Sequence, residues 1–267
     1  MIPSLLRSLR GSGKPPAIPG ASLQWVEVSG GPLKGHQLYI DPEVPTWRKM
    51  VEGLYEPFIF EALGGDGGYE SQTVWDVGAH MGYHALSFAA LVGPGGRVVT
   101  FEPNPFNCDR VRKNLSRNPD LDARVTLITE ALSNQDGETT FNLSRNVDSG
   151  HSSGSHMGEA LAPEDPSVYE RFEKIKVKTA RADTLWREGR VPPPTLIKMD
   201  VEGAEFLVLE GAVGILSELR PTLLIEVHHI VTMFQTQKLL ADLGYALTIA
   251  DEHASSPSRC HVLARPR

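Results

Sequence analysis

Cysteine is nearly absent: 267 residues carry only Cys108 and Cys260. Neither sits in a CxxC pair or beside a histidine group, which excludes a disulfide framework and a structural zinc knuckle. A reducing compartment suits such a chain, and the cytoplasm is the expected location. No stretch approaches the ~18 consecutive apolar residues of a membrane-spanning helix, so stable membrane insertion is not expected. Positive charge is also short, with 26 Lys+Arg against 33 Asp+Glu and a formal net charge of −7. That balance argues against a nucleic-acid partner held by its phosphates. The composition is 40% hydrophobic, and 25 Gly and 20 Pro are scattered, which excludes disorder throughout and low complexity. The length predicts one to two domains with a core that needs no staples.

Residues 1–20 carry Arg7, Arg10 and Lys14 without an acid. Their apolar pieces are too short for a signal-peptide core, and a flexible cationic terminus is the expectation. Residues 21–72 read as an N-terminal hairpin followed by a helical cover. Short alternating runs at 23–28 and 37–40 flank Gly30-Gly31-Pro32, and helical spacing over 47–63 is interrupted by Pro57. From 73 to 267 the period switches repeatedly between short β-rich runs and helical stretches, the pattern of a parallel sheet with crossover helices. Strands are predicted at 74–77, 97–101, 125–129, 196–199 and 223–227, with two more at 246–250 and 261–264. Helices are predicted at 83–92, 106–118, 205–219 and 236–243. The interval 135–194 breaks the alternation. It holds possible extra strands at 139–143 and 175–179 around a polar stretch, 144–166, that reads as a substrate-side insertion.

The most informative segment is Thr73-Val74-Trp75-Asp76-Val77-Gly78-Ala79-His80-Met81-Gly82-Tyr83. An apolar strand ends near an acid and a glycine turn, and a helix follows at once, so the backbone can approach a ligand and a helix N-terminus faces it. One crossover later, Val98-Val99-Thr100-Phe101 ends in Glu102-Pro103-Asn104. An acid at the end of the adjacent strand is placed to accept hydrogen bonds from ribose hydroxyls. Gly78-x-x-x-Gly82 is not the dinucleotide spacing, and Asp76 would repel a pyrophosphate. A cationic or zwitterionic nucleoside such as S-adenosylmethionine tolerates that acid.

These pieces resemble the class I S-adenosylmethionine-dependent methyltransferases, and more narrowly the FkbM family of O-methyltransferases. Glu130-Ala131-Leu132-Ser133 and, above all, Ile197-Lys198-Met199-Asp200-Val201-Glu202-Gly203-Ala204-Glu205 also carry the likeness, followed by Leu209-Glu210-Gly211-Ala212 and Leu224-Ile225-Glu226-Val227-His228. The resemblance implies an α/β, Rossmann-like fold: a seven-stranded, mostly parallel sheet with its last strand antiparallel, helices on both faces and an N-terminal hairpin/helix extension. It implies S-adenosylmethionine as cofactor, with Gly78, Ala79 and Gly82 on its methionine and ribose side and Glu102 on the ribose. Pro103, Asn104, Glu130 and Ala131 would flank the adenine. Asp76, Tyr83 and Asp200 complete the expected cofactor shell, Glu56 would border it, and His80, where many relatives have Asn, would contribute backbone.

Removing a proton from an acceptor hydroxyl calls for a base or a metal. Candidates at strand ends are Asp200, Glu202 and His228, with Glu226, His229 and the insertion's His151 behind them. Glu205 reads as a first-turn helix acid. A divalent metal on Asp200 and a neighbouring acid is compatible with this set, but no fixed ligand spacing establishes it. The expected activity is O-methyl transfer to a hydroxyl of a small molecule such as a sugar, glycoside or polyketide-like product. The alternatives are an NAD-dependent oxidoreductase and a non-catalytic nucleoside-binding protein. Homo-oligomerisation is left open by the sequence.

Overall fold

Strand alternation in this chain separates two apolar cores, one on each face of a central sheet. The computed structural model describes residues 23–65, 68–144, 156–157, 172–250 and 259–267. The N-terminal 1–20 segment, His151 and most of the 144–166 stretch lie outside them. The described elements are, in chain order, β1 (Gln24–Glu27), β2 (Gln37–Ile40), α1 (Pro45–Glu52), α2 (Pro57–Gly64), β3 (Thr73–Val77), α3 (Tyr83–Leu91), β4 (Arg97–Phe101), α4 (Pro105–Ser116), α5 (Pro119–Asp122), β5 (Val125–Ile128) and β6 (Ala131–Leu132). They continue as β7 (Gly137–Ser144), β8 (His156–Met157), β9 (Phe172–Ala180), α6 (Ala182–Arg187), β10 (Leu196–Met199), α7 (Glu205–Glu210), α8 (Val213–Glu218), β11 (Thr222–Val227), α9 (Ile230–Asp242), β12 (Tyr245–Ile249) and β13 (Cys260–Pro266).

Among the described residues the central sheet has seven strands in the order β12-β13-β11-β10-β3-β4-β5. β3, β4, β5, β10 and β11 run parallel, and β13 is antiparallel to both its neighbours. The expected seven-stranded, mostly parallel α/β sheet is therefore present, with the last strand reversed. Val74, Val98, Leu196 and Leu224 face one core with α3, α4 and the N-terminal hairpin. Trp75, Val77, Val99, Phe101, Ile197, Met199, Leu223 and Ile225 face the other. A period of two accounts for this division. A second sheet, ordered β6-β9-β7-β8, is built from the interval that breaks the alternation.

The hairpin β1–β2 is docked by amides. Asn114 near the end of α4 and Asn118, just before α5, accept from the backbone N–H groups of Tyr39 at 2.8 Å and Gln37 at 3.0 Å. Those bonds occupy an otherwise open strand edge. Lys113 and Arg110 cover the Tyr39 and Trp47 rings.

Three helices differ from expectation. The 47–63 run splits into α1 and α2 around Gly53 (φ 71°) and Pro57, as the proline rule foretells. The 205–219 run also splits, at Gly211, where a Cβ would collide with the Ser133 carbonyl. The buried Asp183 carboxylate then accepts from Gly214 N–H and Ile215 N–H, both at 2.9 Å, and so caps α8 from a different helix. No local signal announces a cap 31 residues away. Finally, α9 begins six residues before the expected start, because Ile230 and Phe234 stand exposed and disguise the helical face.

Asp183→Ala removes both acceptors from the α8 N-terminus and leaves buried donors unpaired. It is expected to cost about 1–3 kcal/mol in urea-induced unfolding.

Candidate active site

All five parallel strands end on one edge, and a crevice opens there, where ligands of open α/β sheets lie. It encloses about 960 Å³ with its open mouth included. The loop after β3 supplies Gly78, Ala79, His80 and Met81, the end of β4 supplies Glu102 and Pro103, and the end of β5 leads into Glu130 and Ala131. Asp200, Val201 and Glu202 follow β10. Tyr83 and His84 come from α3, Met50 and Tyr55 from the N-terminal extension, and Phe141 and Met157 from the second sheet.

Ten of the expected site residues line this crevice: Gly78, Ala79, His80, Tyr83, Glu102, Pro103, Glu130, Ala131, Asp200 and Glu202. Five do not, and each has a physical reason. Asp76 is fully buried, with Lys198 Nζ at 3.6 Å and the Thr100 hydroxyl at 3.4 Å. Gly82 is the αL residue that starts α3, at φ 90°. Asn104 caps α4 by accepting from Phe106 N–H at 3.0 Å. Glu56 stands before Pro57 and lies 3.5 Å from His84 Nε2. His228 is held back by Glu205, whose Oε1 lies 2.7 Å from Nδ1. Gly78 does line the crevice, yet a Cβ there would strike the Asp200 carbonyl, so its close approach is to the protein's own backbone.

Glu102 is the best-defined acid. One carboxylate oxygen accepts from His80 N–H at 2.7 Å and the other from Asn104 N–H at 2.9 Å. Burial pushes its pKa up to about 7 against those hydrogen bonds. Glu130, in contrast, is held by a bidentate pair from Arg190, both at 2.9 Å. His80 adopts a positive φ of 52°, Glu202 one of 52° and Glu56 one of 48°. Three non-glycine residues in this sparsely populated region, all around one crevice, mark it as a place where geometry overrides local preference.

Lys198 was legible only as part of a motif, yet it is the buried cation of the site. The register sets it beside Asp76, which is in turn beside Thr100. Its Nζ lies 3.6 Å from Asp76 Oδ1, 3.8 Å from Asp200 Oδ2 and 3.4 Å from the Gly78 carbonyl oxygen. Burial raises Asp76 to about 6 despite that cation. His84 is another crevice residue the sequence left unmarked; burial lowers its pKa well below the ordinary value, so it is a neutral imidazole on the crevice wall.

At His228 burial alone would lower the pKa, but the hydrogen bond it donates to Glu205 and the charges of Asp200 and Glu202 outweigh it and raise the ring to about 9. It carries its proton at neutral pH. Glu226 pairs with His261 at 3.5 Å and Arg259 at 3.4 Å. His229 starts α9 and is not among the crevice residues.

Comparison with known proteins gives this geometry its class. The methyltransferase FkbM domain profile matches residues 76–247, and the chain belongs to that family. It is 30% identical over 173 residues to the hexuronic acid methyltransferase AglP of Haloferax volcanii, covering 65% of this chain and 63% of that protein. It is 32% identical over 152 residues to the 2-O-methyltransferase NoeI of Sinorhizobium fredii, covering 55% of this chain and 60% of that protein. The chain thus spans somewhat under two thirds of the length of these curated relatives. The crystal structure of methyltransferase FkbM from Methylobacillus flagellatus shares the fold, with a TM-score of 0.52 at 19% identity over 85% of this chain and 56% of that one. No helix among the described residues is long and apolar enough to cross a membrane.

Lys198→Met strips the paired cation from buried Asp76. Removing one partner of a buried pair predicts a loss of about 3–5 kcal/mol in chemical denaturation.

Proposed function

We propose that this chain is an S-adenosylmethionine-dependent O-methyltransferase whose acceptor is a hydroxyl of a sugar or glycoside. The observation that carries the reading is Glu102: a buried carboxylate, fixed by two backbone N–H groups at the end of β4 and facing an open crevice beside the glycine loop. Membership in the FkbM family supports methyl transfer. The sugar acceptor is supported by relatives named for hexuronic acid methylation and for 2-O-methylation.

The crevice fits the cofactor. Around it stand Glu56, Asp76, Asp200, Glu202, Glu205 and Glu226 against Lys198, Arg259 and His228, an acidic balance suited to a cationic sulfur nucleoside. Asn104 Nδ2 and Asn107 Oδ1, beside Glu102, are buried without hydrogen-bond partners. S-adenosylmethionine supplies an electrophilic methyl group on positively charged sulfur. On this reading Glu102 accepts from the ribose hydroxyls, while Pro103, Glu130 and Ala131 border the base. Gly78, Ala79 and Tyr83 frame the methionine side, with Tyr55 next to Glu56 closing it. Asp200 and Glu202, on the crevice wall, take the acceptor's proton. Phe141 and Met157 from the second sheet frame the acceptor side, and the 135–194 interval acts as a substrate-side insertion on the 73–267 domain. Positioning the acceptor oxygen can itself supply roughly 7–11 kcal/mol of the barrier.

Two measurements test the reading. Calorimetric titration should show adenosylmethionine binding and no comparable heat from NAD; Glu102→Gln should weaken that binding by about 10–100-fold, the worth of charge-assisted hydrogen bonds. Because Glu102 is protonated below about 7 in the free protein, and the ribose needs an acceptor, affinity should rise as pH climbs from 6 to 8 and the Gln variant should lose that rise. In turnover assays over a panel of hexuronates and glycosides, Asp200→Asn and Glu202→Gln should each lower kcat by about 10²–10⁴-fold. Unchanged turnover in both variants removes the proton-acceptor assignment.

A further inference from the structure

We propose that Asp200, Glu226 and His228 form a divalent-cation site at the edge of the crevice. β10 and β11 are parallel neighbours, with Met199 beside Ile225, so the residues that follow them emerge together. One ligand atom from each of the three lies within 4.8 Å of the other two. His228 Nε2 stands 3.6 Å from Asp200 Oδ1 and 3.8 Å from Glu226 Oε1. An octahedron with bonds of about 2.3 Å has edges of about 3.3 Å, so small side-chain adjustments close the set.

Two observations beyond the crowding of acids point to a ligand. The His228 side chain is only 10% exposed, and its Nδ1 is tied to Glu205 Oε1, which also accepts from Gly203 N–H at 2.9 Å. That bond aims Nε2 at carboxylate oxygens standing 3.5–3.8 Å away, too far for a good hydrogen bond. A carboxylate on one ring nitrogen, with the other presented to oxygen ligands, is the arrangement that orients metal-binding histidines. The second observation is Asp200 Oδ1: it faces the same point, is closed off from solvent and accepts no hydrogen bond. Nearby basic groups approach from outside. Lys198 faces the other Asp200 oxygen at 3.8 Å. His261 faces the other Glu226 oxygen at 3.5 Å. Arg259 reaches Glu226 Oε1 at 3.4 Å from a side chain that is 52% exposed and free to yield.

Two carboxylates and one imidazole, whose Nε2 proton the cation displaces to solvent, suit Mn²⁺, Fe²⁺ or Zn²⁺ better than Ca²⁺. Three protein ligands leave open positions for water or for oxygens of a hydroxylated molecule. On the methyltransferase reading, and resting on it, those positions take sugar hydroxyls and acidify the one to be methylated, whose proton then passes to Glu202 while Asp200 holds the cation. Cation binding itself does not depend on that reading.

The test is Mn²⁺ added to the whole chain without donor or acceptor, followed by loss of the free-ion EPR signal. A single tightly held Mn²⁺ per chain is expected, with nitrogen modulation in its electron spin-echo spectrum from the imidazole. Asp200→Asn and Glu226→Gln should each weaken binding at least tenfold, and Glu205→Gln, which touches no ion, by about 10–100-fold. His228→Ala should abolish the modulation; if that variant does not fold, the wild-type spectrum decides. No binding up to about millimolar Mn²⁺, binding without nitrogen modulation, or binding indifferent to Asp200→Asn overturns the site. Retained adenosylmethionine binding with no Mn²⁺ would reject the cation site alone, whereas Mn²⁺ without adenosylmethionine binding would reject the methyltransferase reading alone.

Discussion

The burial of Lys198 between Asp76 and Asp200 is the constraint around which the crevice is organised. Parallel strands deliver their carboxyl ends to one edge, and in this chain those ends are acidic: Asp76 in β3, Glu102 after β4, Asp200 after β10 and Glu226 in β11. Such a concentration of carboxylates is costly away from water. One ammonium group, placed by register opposite Asp76, holds the centre of the array together. It leaves the periphery with more negative than positive charge. The same arrangement that strains the fold makes the crevice receptive to cations.

The acids then divide by environment. Glu102 is solvated by backbone N–H groups and turned toward open space, whereas Asp76 is sealed beneath and only stabilises Lys198. Glu205 is spent on orienting His228 and on the Gly203 turn. Asp200 and Glu202 alone combine a place on the crevice wall with proximity to His228. Chemically similar side chains thus acquire separate tasks through their depth and their donors, without any change of residue type.

Most of the fold was legible because it rests on local periodicity. The strand runs and the Gly78 and Glu102 turns are short-range patterns, and the sheet order follows from them with the family likeness. The main failures share one cause, contacts between residues distant in sequence. Asp183 capping α8 and the Ser133 carbonyl beside Gly211 have no local signature, whereas the start of α9 is masked locally by exposed Ile230 and Phe234. In the site, carboxylates at strand ends could be picked out, but Lys198 looked like one polar residue in an apolar run. Alternation from Leu196 would have placed it on the Asp76 face. The proton affinity of His228 depends on three acids brought in by other segments, which its own neighbours in sequence do not reveal. His84, Phe141 and Met157 reach the crevice only through packing.

The central claim is that a sulfur nucleoside occupies the edge of the sheet with its sugar against Glu102. A crystal of this chain grown with S-adenosylhomocysteine tests it directly. The account predicts the nucleoside in the crevice between the Gly78 turn and Glu130, with both ribose hydroxyls donating to the Glu102 carboxylate. Density elsewhere on the molecule, or a ribose turned away from Glu102, would contradict it.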